Sequence, residues 1–337
     1  MKVVKTCGKL FWAGEYAILE PGQLALIKAI PIYMTAEIKA SNNYRLYSDM
    51  FSYSVDLRPD SSYALIQETV ALVEEYLTAQ GVKLQPFSLD VRGKMEREGK
   101  KFGLGSSGSV VVLVIKAMLA FYERPADRNL LFKLASAVLL KRGDNGSMGD
   151  IACIVSEALV LYQSFDREKV AHWLEKEDLQ AVLDREWGFS IEIIEPALEF
   201  DFLVGWTKEV AVSSHMVKQI KNHMDARFLQ VSKETVATLV NALQTGQEEK
   251  IVEQLEQASL LLEALSSDIY TPSLRQLKNA SRGLKVVSKS SGAGGGDCGI
   301  ALSFDQDSTI LLKKRWADLG IELLYQERIG HDYKSEG

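Results

Sequence analysis

The stretch Gly103-Leu104-Gly105-Ser106-Ser107-Gly108-Ser109-Val110 is the most informative part of this 337-residue chain. It leads into an apolar run that continues to Phe121, and a run of this length and composition favours a buried helix. A glycine-rich loop before a helix can bind phosphate, because backbone N–H groups point outward and the helix dipole attracts negative charge. The sequence therefore predicts a phosphate-binding loop, whose serine hydroxyls can also coordinate magnesium.

The same stretch matches two other nucleotide-binding patterns, but its context fits neither of them. It reads G-x-G-x-x-G, as in dinucleotide-binding folds, yet residues 95–102 before it do not resemble a buried strand. It also reads G-x-G-x-x-G-x-V, as in protein kinases, yet the chain contains neither H-R-D nor D-F-G. A tight turn before a buried helix, with no ligand, is the less favoured alternative for this stretch taken alone.

Two further segments are informative because of their glycines. One has a glycine at a predicted bend, and the other is rich in glycine. The first, Lys9-Leu10-Phe11-Trp12-Ala13-Gly14-Glu15-Tyr16, reads on its own as a strand with a glycine kink and a surface lysine. The second is Ser290-Ser291-Gly292-Ala293-Gly294-Gly295-Gly296-Asp297-Cys298. A linker between two strands hardly needs four glycines in five residues, whereas a backbone that must approach a ligand closely does.

Composition and charge restrict the class of protein. Hydrophobic residues make up 47% and charged residues 25% of the chain, as in ordinary globular proteins, and the net charge of −6 argues against binding nucleic acid. The three cysteines are widely spaced and indicate neither a disulfide framework nor a zinc site. The N-terminus lacks the apolar core of a signal peptide, and no apolar run is long enough to span a bilayer. We therefore expect a soluble cytoplasmic protein with no membrane partner.

Strand and helix patterns are clustered along the chain, which predicts an α+β fold with a domain boundary near residues 190–198. The expected N-caps of two helices are Ser61-Ser62 and Asp127. Strands are predicted at residues 24–38, 87–91, 158–165, 190–195, 200–206, 284–289, 300–304 and 321–325. Helices are predicted before Gly81 and Gly143, at residues 107–121, 167–186, 213–229, 232–244, 247–266 and 306–319, and after Pro272.

In their order and spacing, the three glycine-containing segments resemble the three motifs of the GHMP kinases, a family that phosphorylates small molecules. Each motif alone is weak evidence. Because the three lie near the start, at about one third and close to the C-terminus, the resemblance covers nearly the whole chain. The resemblance implies a ribosomal protein S5 domain 2-like, ATP-binding domain at residues 1–195 and a ferredoxin-like domain at residues 196–337. It also implies ATP as co-substrate with Mg²⁺. The residues expected at the ATP phosphates are Gly103, Leu104, Gly105, Ser106, Ser107, Gly108 and Ser109.

The resemblance further implies two catalytic residues. The family has a lysine near the N-terminus and an aspartate in a Ser-x-x-Asp stretch, which here correspond to Lys9 and Asp150. Asp150 would orient or deprotonate the acceptor, and Lys9 would hold the acceptor oxygen. Mevalonate kinases carry a Mg²⁺-binding glutamate about ten residues before this aspartate, but residues 137–141 contain no acid. The metal is therefore expected on phosphate oxygens and Ser107, with Asp144 as an alternative ligand.

The acceptor is inferred from resemblance to one branch of the family. Lys100-Lys101-Phe102 before the loop, and residues 205–217, look like the members that act on 5-phosphomevalonate. An acceptor that is itself a phosphate needs additional cations beside ATP. The residues expected to bind it are Lys101, Ser147, Ser213, Ser214, His215, Ser291, Gly292 and Ala293.

The sequence therefore predicts a monomeric or homodimeric kinase that phosphorylates 5-phosphomevalonate. A mevalonate kinase is the alternative within the family, and a diphosphomevalonate decarboxylase is a more distant one. A catalytically silent binding protein of the same fold is the alternative from another class. The presence of Lys9, Ser107 and Asp150 argues against a silent protein.

Overall fold

The structure, a computed structural model, describes residues 1–211, 220 and 224–330. Its first sheet has seven strands: β1 (Lys2–Ala13), β2 (Leu24–Ala40), β3 (Arg45–Ser48), β4 (Ser54–Val55), β5 (Phe87–Arg92), β8 (Leu159–Gln163) and β9 (Ser190–Ile193). Their order in the sheet is β4-β3-β5-β2-β8-β9, with β1 paired to β2. All pairs are antiparallel except β3 with β5.

A buried helix packs against the first sheet and begins at the glycine loop. This helix, α2 (Ser106–Phe121), contacts β1 and β2, and ten of its residues are buried. A short hairpin of β6 (Glu96–Arg97) and β7 (Lys100–Lys101) precedes the loop. The other helices of this half are α1 (Ala64–Ala79), α3 (Arg128–Lys141), α4 (Gly149–Ser156), α5 (Arg167–Lys176) and α6 (Leu179–Asp184), with a 3₁₀ turn at Ala17–Leu19.

The second sheet has four strands: β10 (Phe200–Trp206), β11 (Val286–Ser290), β12 (Cys298–Ser303) and β13 (Glu322–Ile329). It is antiparallel, and its strand order is β11-β12-β10-β13. The described part of this half contains the helices α7 (Ala226–Thr245), α8 (Glu248–Leu265), α9 (Pro272–Asn279) and α10 (Gln306–Asp318). No helix among the described residues has the length and apolar composition needed to cross a membrane.

The two sheets share one apolar core. Trp12 of β1 is fully buried, and its ring centre lies 6.1 Å from that of Phe200 and 5.2 Å from that of Phe202 in β10. The predicted boundary at residue 195 falls in the short connection between β9 and β10. The domain limits themselves stay a prediction.

Several details differ from the sequence-based expectations. Asp127 caps α3 as predicted, because its carboxylate accepts the Leu130 N–H at 2.9 Å. The predicted Ser61-Ser62 cap is wrong, since α1 begins after Tyr63 with no side-chain cap. The single helix predicted at residues 167–186 is two helices, α5 and α6, separated by extended backbone at Glu177 and Asp178. Most of the helix predicted at residues 213–229 lies outside the described part of the chain.

Candidate active site

A cleft of about 410 Å³ lies where the three glycine-containing segments meet. Thirteen of the residues predicted for the site line it, and these come from both halves of the chain. They are Lys9, Lys101, Gly103, Leu104, Gly105, Ser106, Ser107, Gly108, Ser147, Asp150, Ser291, Gly292 and Ala293. Ser213, Ser214 and His215 lie outside the described residues.

Each glycine of the loop gives room to one charged side chain. A Cβ added to Gly105 would lie 2.8 Å from Cε of Lys9, and one added to Gly108 would lie 2.7 Å from Oδ2 of Asp150. A Cβ on Gly103 would lie 2.5 Å from Oδ2 of Asp297. Real Cβ atoms do not approach other atoms this closely, so a side chain at any of the three positions would displace its charged neighbour. The left-handed backbone of Gly103 and Gly105 favours glycine as well.

Lys9 is attached to the loop by both its backbone and its side chain. Its backbone N–H donates to the Leu104 carbonyl at 3.0 Å, and its Nζ donates to the Gly103 carbonyl at 3.3 Å. The residue is 8% exposed and lines the cleft. The first strand thus holds a positive charge beside the predicted phosphate site.

Asp150 stands in the first turn of α4, where its carboxylate faces the cleft. Burial raises the pKa of this carboxyl above its ordinary value, and the positive charge of Lys9 opposes that rise. A carboxylate in such a setting is a stronger proton acceptor than an exposed one. The geometry therefore suits a group that orients or deprotonates an acceptor.

Two hydrogen bonds join the first and third segments, and an ion pair from the residue before the third segment adds to them. Ser291 Oγ donates to the Phe11 carbonyl at 2.8 Å, and the Tyr16 hydroxyl donates to the Ala293 carbonyl at 2.5 Å. Lys289 Nζ lies 2.5 Å from Glu15 Oε1 in a buried ion pair. Because the Ser291 hydroxyl already donates to backbone, it has only lone pairs left for a ligand, and a phosphate oxygen cannot use these. The geometry therefore speaks against this hydroxyl as a phosphate donor.

Three serines predicted for the site differ in where their hydroxyls point. Ser106 and Ser107 begin α2 and line the cleft. Ser109 is fully buried, and its hydroxyl donates to the Cys7 carbonyl at 2.7 Å. The Ser109 side chain therefore faces the core, which speaks against the predicted contact between its hydroxyl and phosphate.

Lys101 and Ser147 both line the cleft and come from separate segments of the first half of the chain. Lys101 is exposed on β7, next to the glycine loop. The Ser147 hydroxyl accepts the Gly149 N–H at 3.2 Å, which leaves its hydrogen available for a ligand oxygen. Both are placed where they can contribute donors to an anionic acceptor.

Glu15, Tyr16 and Asp297 are among the cleft residues to which the sequence assigned no role. Asp297 follows three consecutive glycines, so an acidic residue inside a predicted ligand loop was a signal that could have been used. Burial raises the pKa of its carboxyl, whereas the Ala211 N–H and the charges of Lys9 and Lys101 oppose that rise.

Among the residues that the structure describes, no group of three or more His, Cys, Asp or Glu side chains is arranged to hold a metal ion. Mg²⁺ that arrives with a nucleotide needs only one or two protein oxygens, because phosphate and water supply the rest. The Ser107 hydroxyl and the carboxylates of Asp144 and Asp150 line the same cleft and are hard oxygen donors of that kind. The donor set therefore fits MgATP.

Comparisons with known proteins identify the family to which the chain belongs. The family model for the GHMP kinases N terminal domain matches residues 64–157, and the model for the GHMP kinases C terminal domain matches residues 239–322. The chain therefore belongs to the GHMP kinases and has their two-domain fold, which confirms the resemblance seen in the sequence.

Two similar proteins within the family are phosphomevalonate kinases. The structure of Streptococcus pneumoniae phosphomevalonate kinase in complex with phosphomevalonate and AMPPNP is 72% identical, with a TM-score of 0.97 over 98% of this chain and 100% of that one. Phosphomevalonate kinase from Streptomyces sp. (strain CL190) is 28% identical, over 93% of each chain. Mevalonate kinase from L. major, at 18% identity and a TM-score of 0.68 over 98% of this chain and 97% of that one, shares the fold alone.

Proposed function

We propose that this protein is an ATP-dependent kinase that transfers the γ-phosphoryl group of ATP to 5-phosphomevalonate, giving 5-diphosphomevalonate and ADP. The observation that carries the proposal is the 72% identity, over 98% of the chain, to a phosphomevalonate kinase whose structure holds phosphomevalonate and AMPPNP. The cleft supports it independently, because Lys9, Asp150 and the glycine loop meet there.

The glycine loop binds the triphosphate of ATP. Its backbone N–H groups and the N-terminus of α2 favour negative charge, and the Ser106 and Ser107 hydroxyls add donors. Bound with ATP, Mg²⁺ neutralises charge on the phosphates, and Ser107 with Asp144 or Asp150 would hold it. The protein's own contribution is to fix the phosphates in one orientation.

The acceptor is placed between Lys9, Lys101 and Asp150. A phosphate monoester has a second pKa near 6, so it is mostly deprotonated at pH 7 and needs orientation more than proton removal. Asp150 orients the attacking oxygen and accepts the proton that remains on part of the acceptor. Lys9 offsets the repulsion between Asp150 and the two substrates, since its charge acts on that carboxylate. Phosphoryl transfer asks mainly for such positioning and charge neutralisation.

A cytoplasmic location is part of the proposal. The three cysteines are free and buried, which suits a reducing compartment, and ATP is the co-substrate.

The experiment that tests the proposal measures ADP release with MgATP and a panel of acceptors. The panel contains mevalonate, 5-phosphomevalonate, 5-diphosphomevalonate, homoserine and galactose. We expect turnover with 5-phosphomevalonate and at most traces with the others. Preferred turnover of mevalonate would contradict the assigned acceptor while leaving the kinase assignment intact. ATP binding without turnover of any acceptor would favour the silent binding protein.

A further inference from the structure

Asp297 is a charged residue of the cleft to which the proposed function gives no role. It follows Gly294, Gly295 and Gly296, and its backbone is left-handed, with φ of 56°. The side chain is half-buried and lines the cleft from the second half of the chain. A carboxylate is unexpected in a cleft that binds two phosphorylated substrates, so its position asks for an explanation.

Asp297 is bonded to the segment that follows β10 through its side chain and its backbone. Its Oδ1 accepts the Ala211 N–H at 3.2 Å, and its N–H donates to the Glu209 carbonyl at 2.7 Å. Its carbonyl accepts both the N–H and the hydroxyl of Thr207 at 2.9 Å. These four bonds fix the third glycine-rich segment to residues 207–211.

The other side of Asp297 packs on the glycine loop. A Cβ on Gly103 would lie 2.5 Å from Oδ2 and 2.7 Å from Cβ of Asp297. The next residue strengthens this contact, because the Cys298 thiol donates to the Phe102 carbonyl at 3.2 Å. The loop glycines make room in the same way for Lys9 and Asp150, which are the two residues assigned to catalysis.

We infer that Asp297 is a positioning residue that holds the acceptor side of the cleft, including Gly292 and Ala293, in register with the glycine loop that binds ATP. The inference rests on the proposed function. A shift of about 1 Å between reacting groups can lower a rate about 10²-fold, so loss of this anchor should affect kcat more than nucleotide binding.

Two substitutions at Asp297 separate its hydrogen bond from its bulk. Asparagine keeps an oxygen that can accept the Ala211 N–H, whereas alanine does not. Asp297→Ala should lower kcat about 10- to 100-fold with MgATP and 5-phosphomevalonate. Its Kd for MgAMPPNP should stay within about twofold, and Asp297→Asn should keep at least about a third of wild-type kcat. Asp318→Asn, at the exposed end of α10, is the matched control and should behave as wild type.

Thr207→Val supplies a second measurement with a variant of nearly unchanged shape. It removes the hydroxyl bond to the Asp297 carbonyl and should lower kcat by a smaller factor, about 3- to 10-fold. The inference is overturned if Asp297→Ala keeps kcat within about twofold, or if Asp297→Asn loses as much as Asp297→Ala. Absence of wild-type turnover would instead overturn the proposed function, so the two failures are distinguishable.

Discussion

Asp150 combines burial with a neighbouring positive charge, and the two act on its carboxyl in opposite directions. Asp150→Asn keeps the volume of the side chain but removes its charge and its ability to accept a proton. We expect kcat to fall by about 10²-fold or more while MgATP binding is retained, because the lost interaction acts on the acceptor. Steady-state kinetics and nucleotide titration would check this.

The matched control for this prediction is Asp178→Asn. Asp178 is exposed before α6 and carries no side-chain cap bond, so its substitution should leave both kcat and nucleotide affinity unchanged. A kcat for Asp150→Asn within about threefold of wild type would mean that Asp150 is not the catalytic aspartate.

Lys101 can be used to test whether the cleft supplies a positive charge to the anionic acceptor. Its ammonium group lies beside the glycine loop, and the acceptor brings about two negative charges next to ATP. Lys101→Met should raise the KM for 5-phosphomevalonate about 10-fold, since a hydrogen bond to a charged group contributes about 1.5–3 kcal/mol. Lys100→Met is the control, because Lys100 is also exposed on the same strand and is not among the cleft residues. Equal KM values for the two variants would remove Lys101 from the acceptor site.

At the scale of elements, a glycine in the first turn of α2 lowers the stability of the helix but leaves room for the catalytic carboxylate. Gly108 lies within this helix, where alanine would be favoured by about 1 kcal/mol. An added Cβ would, however, lie 2.7 Å from Oδ2 of Asp150 and displace that carboxylate. The same Cβ would lie 3.1 Å from Cδ1 of the buried Ile151, and this crowding offsets the gain in helix propensity. Gly108→Ala should therefore leave Tm nearly unchanged while kcat falls about 10-fold or more.

A double variant that combines Gly108→Ala with Asp150→Asn tests whether contact with the Asp150 carboxylate causes the loss of activity. If Gly108→Ala acts by displacing the carboxylate, it should have little further effect on kcat in the Asp150→Asn variant, because the two changes remove the same interaction. Multiplying effects would show that alanine at this position disturbs the phosphates directly.

The elements that the sequence predicted best are those defined by local patterns. The buried helix α2 and the strands β2 and β10 follow from apolar runs, β-branched residues and flanking glycines. The break between α5 and α6 was missed because the charged segment contains no glycine or proline to mark it. The division of this segment into two helices depends on how it packs against the rest of the fold, which the local pattern does not show.

The candidate site was predictable where a motif fixes the position of the residue, as for Lys9, Asp150 and the glycine loop. The direction of a hydroxyl was not, because Ser107 and Ser109 belong to one string but lie on different faces of α2. The anchoring contacts of Asp297 with Gly103 join residues far apart in the chain. Such contacts follow from the assembled fold, and a single sequence without its structure carries little sign of them.

At the scale of the whole molecule, a buried ion pair joins the two halves of the chain. Glu15 follows β1 of the first sheet, and Lys289 belongs to β11 of the second. Their side chains are 3% and 1% exposed, and Lys289 Nζ also donates to the Ser290 carbonyl at 2.6 Å. Removing one partner of such a pair leaves an uncompensated charge in the core, whereas removing both does not.

Glu15→Gln and Lys289→Met should therefore each lower the free energy of unfolding by about 3–5 kcal/mol, measured by urea denaturation. The double variant should be more stable than either single one, because neither charge is then left buried alone. Lys278 and Glu263 form the control pair, since their Nζ–Oε1 distance is also 2.5 Å but their side chains are 25% and 33% exposed. Glu263→Gln should cost less than about 1 kcal/mol, because water screens that pair. If the two single losses simply add in the double variant, Glu15 and Lys289 stabilise the junction of the two sheets independently of each other, and their mutual charge is not what holds it together.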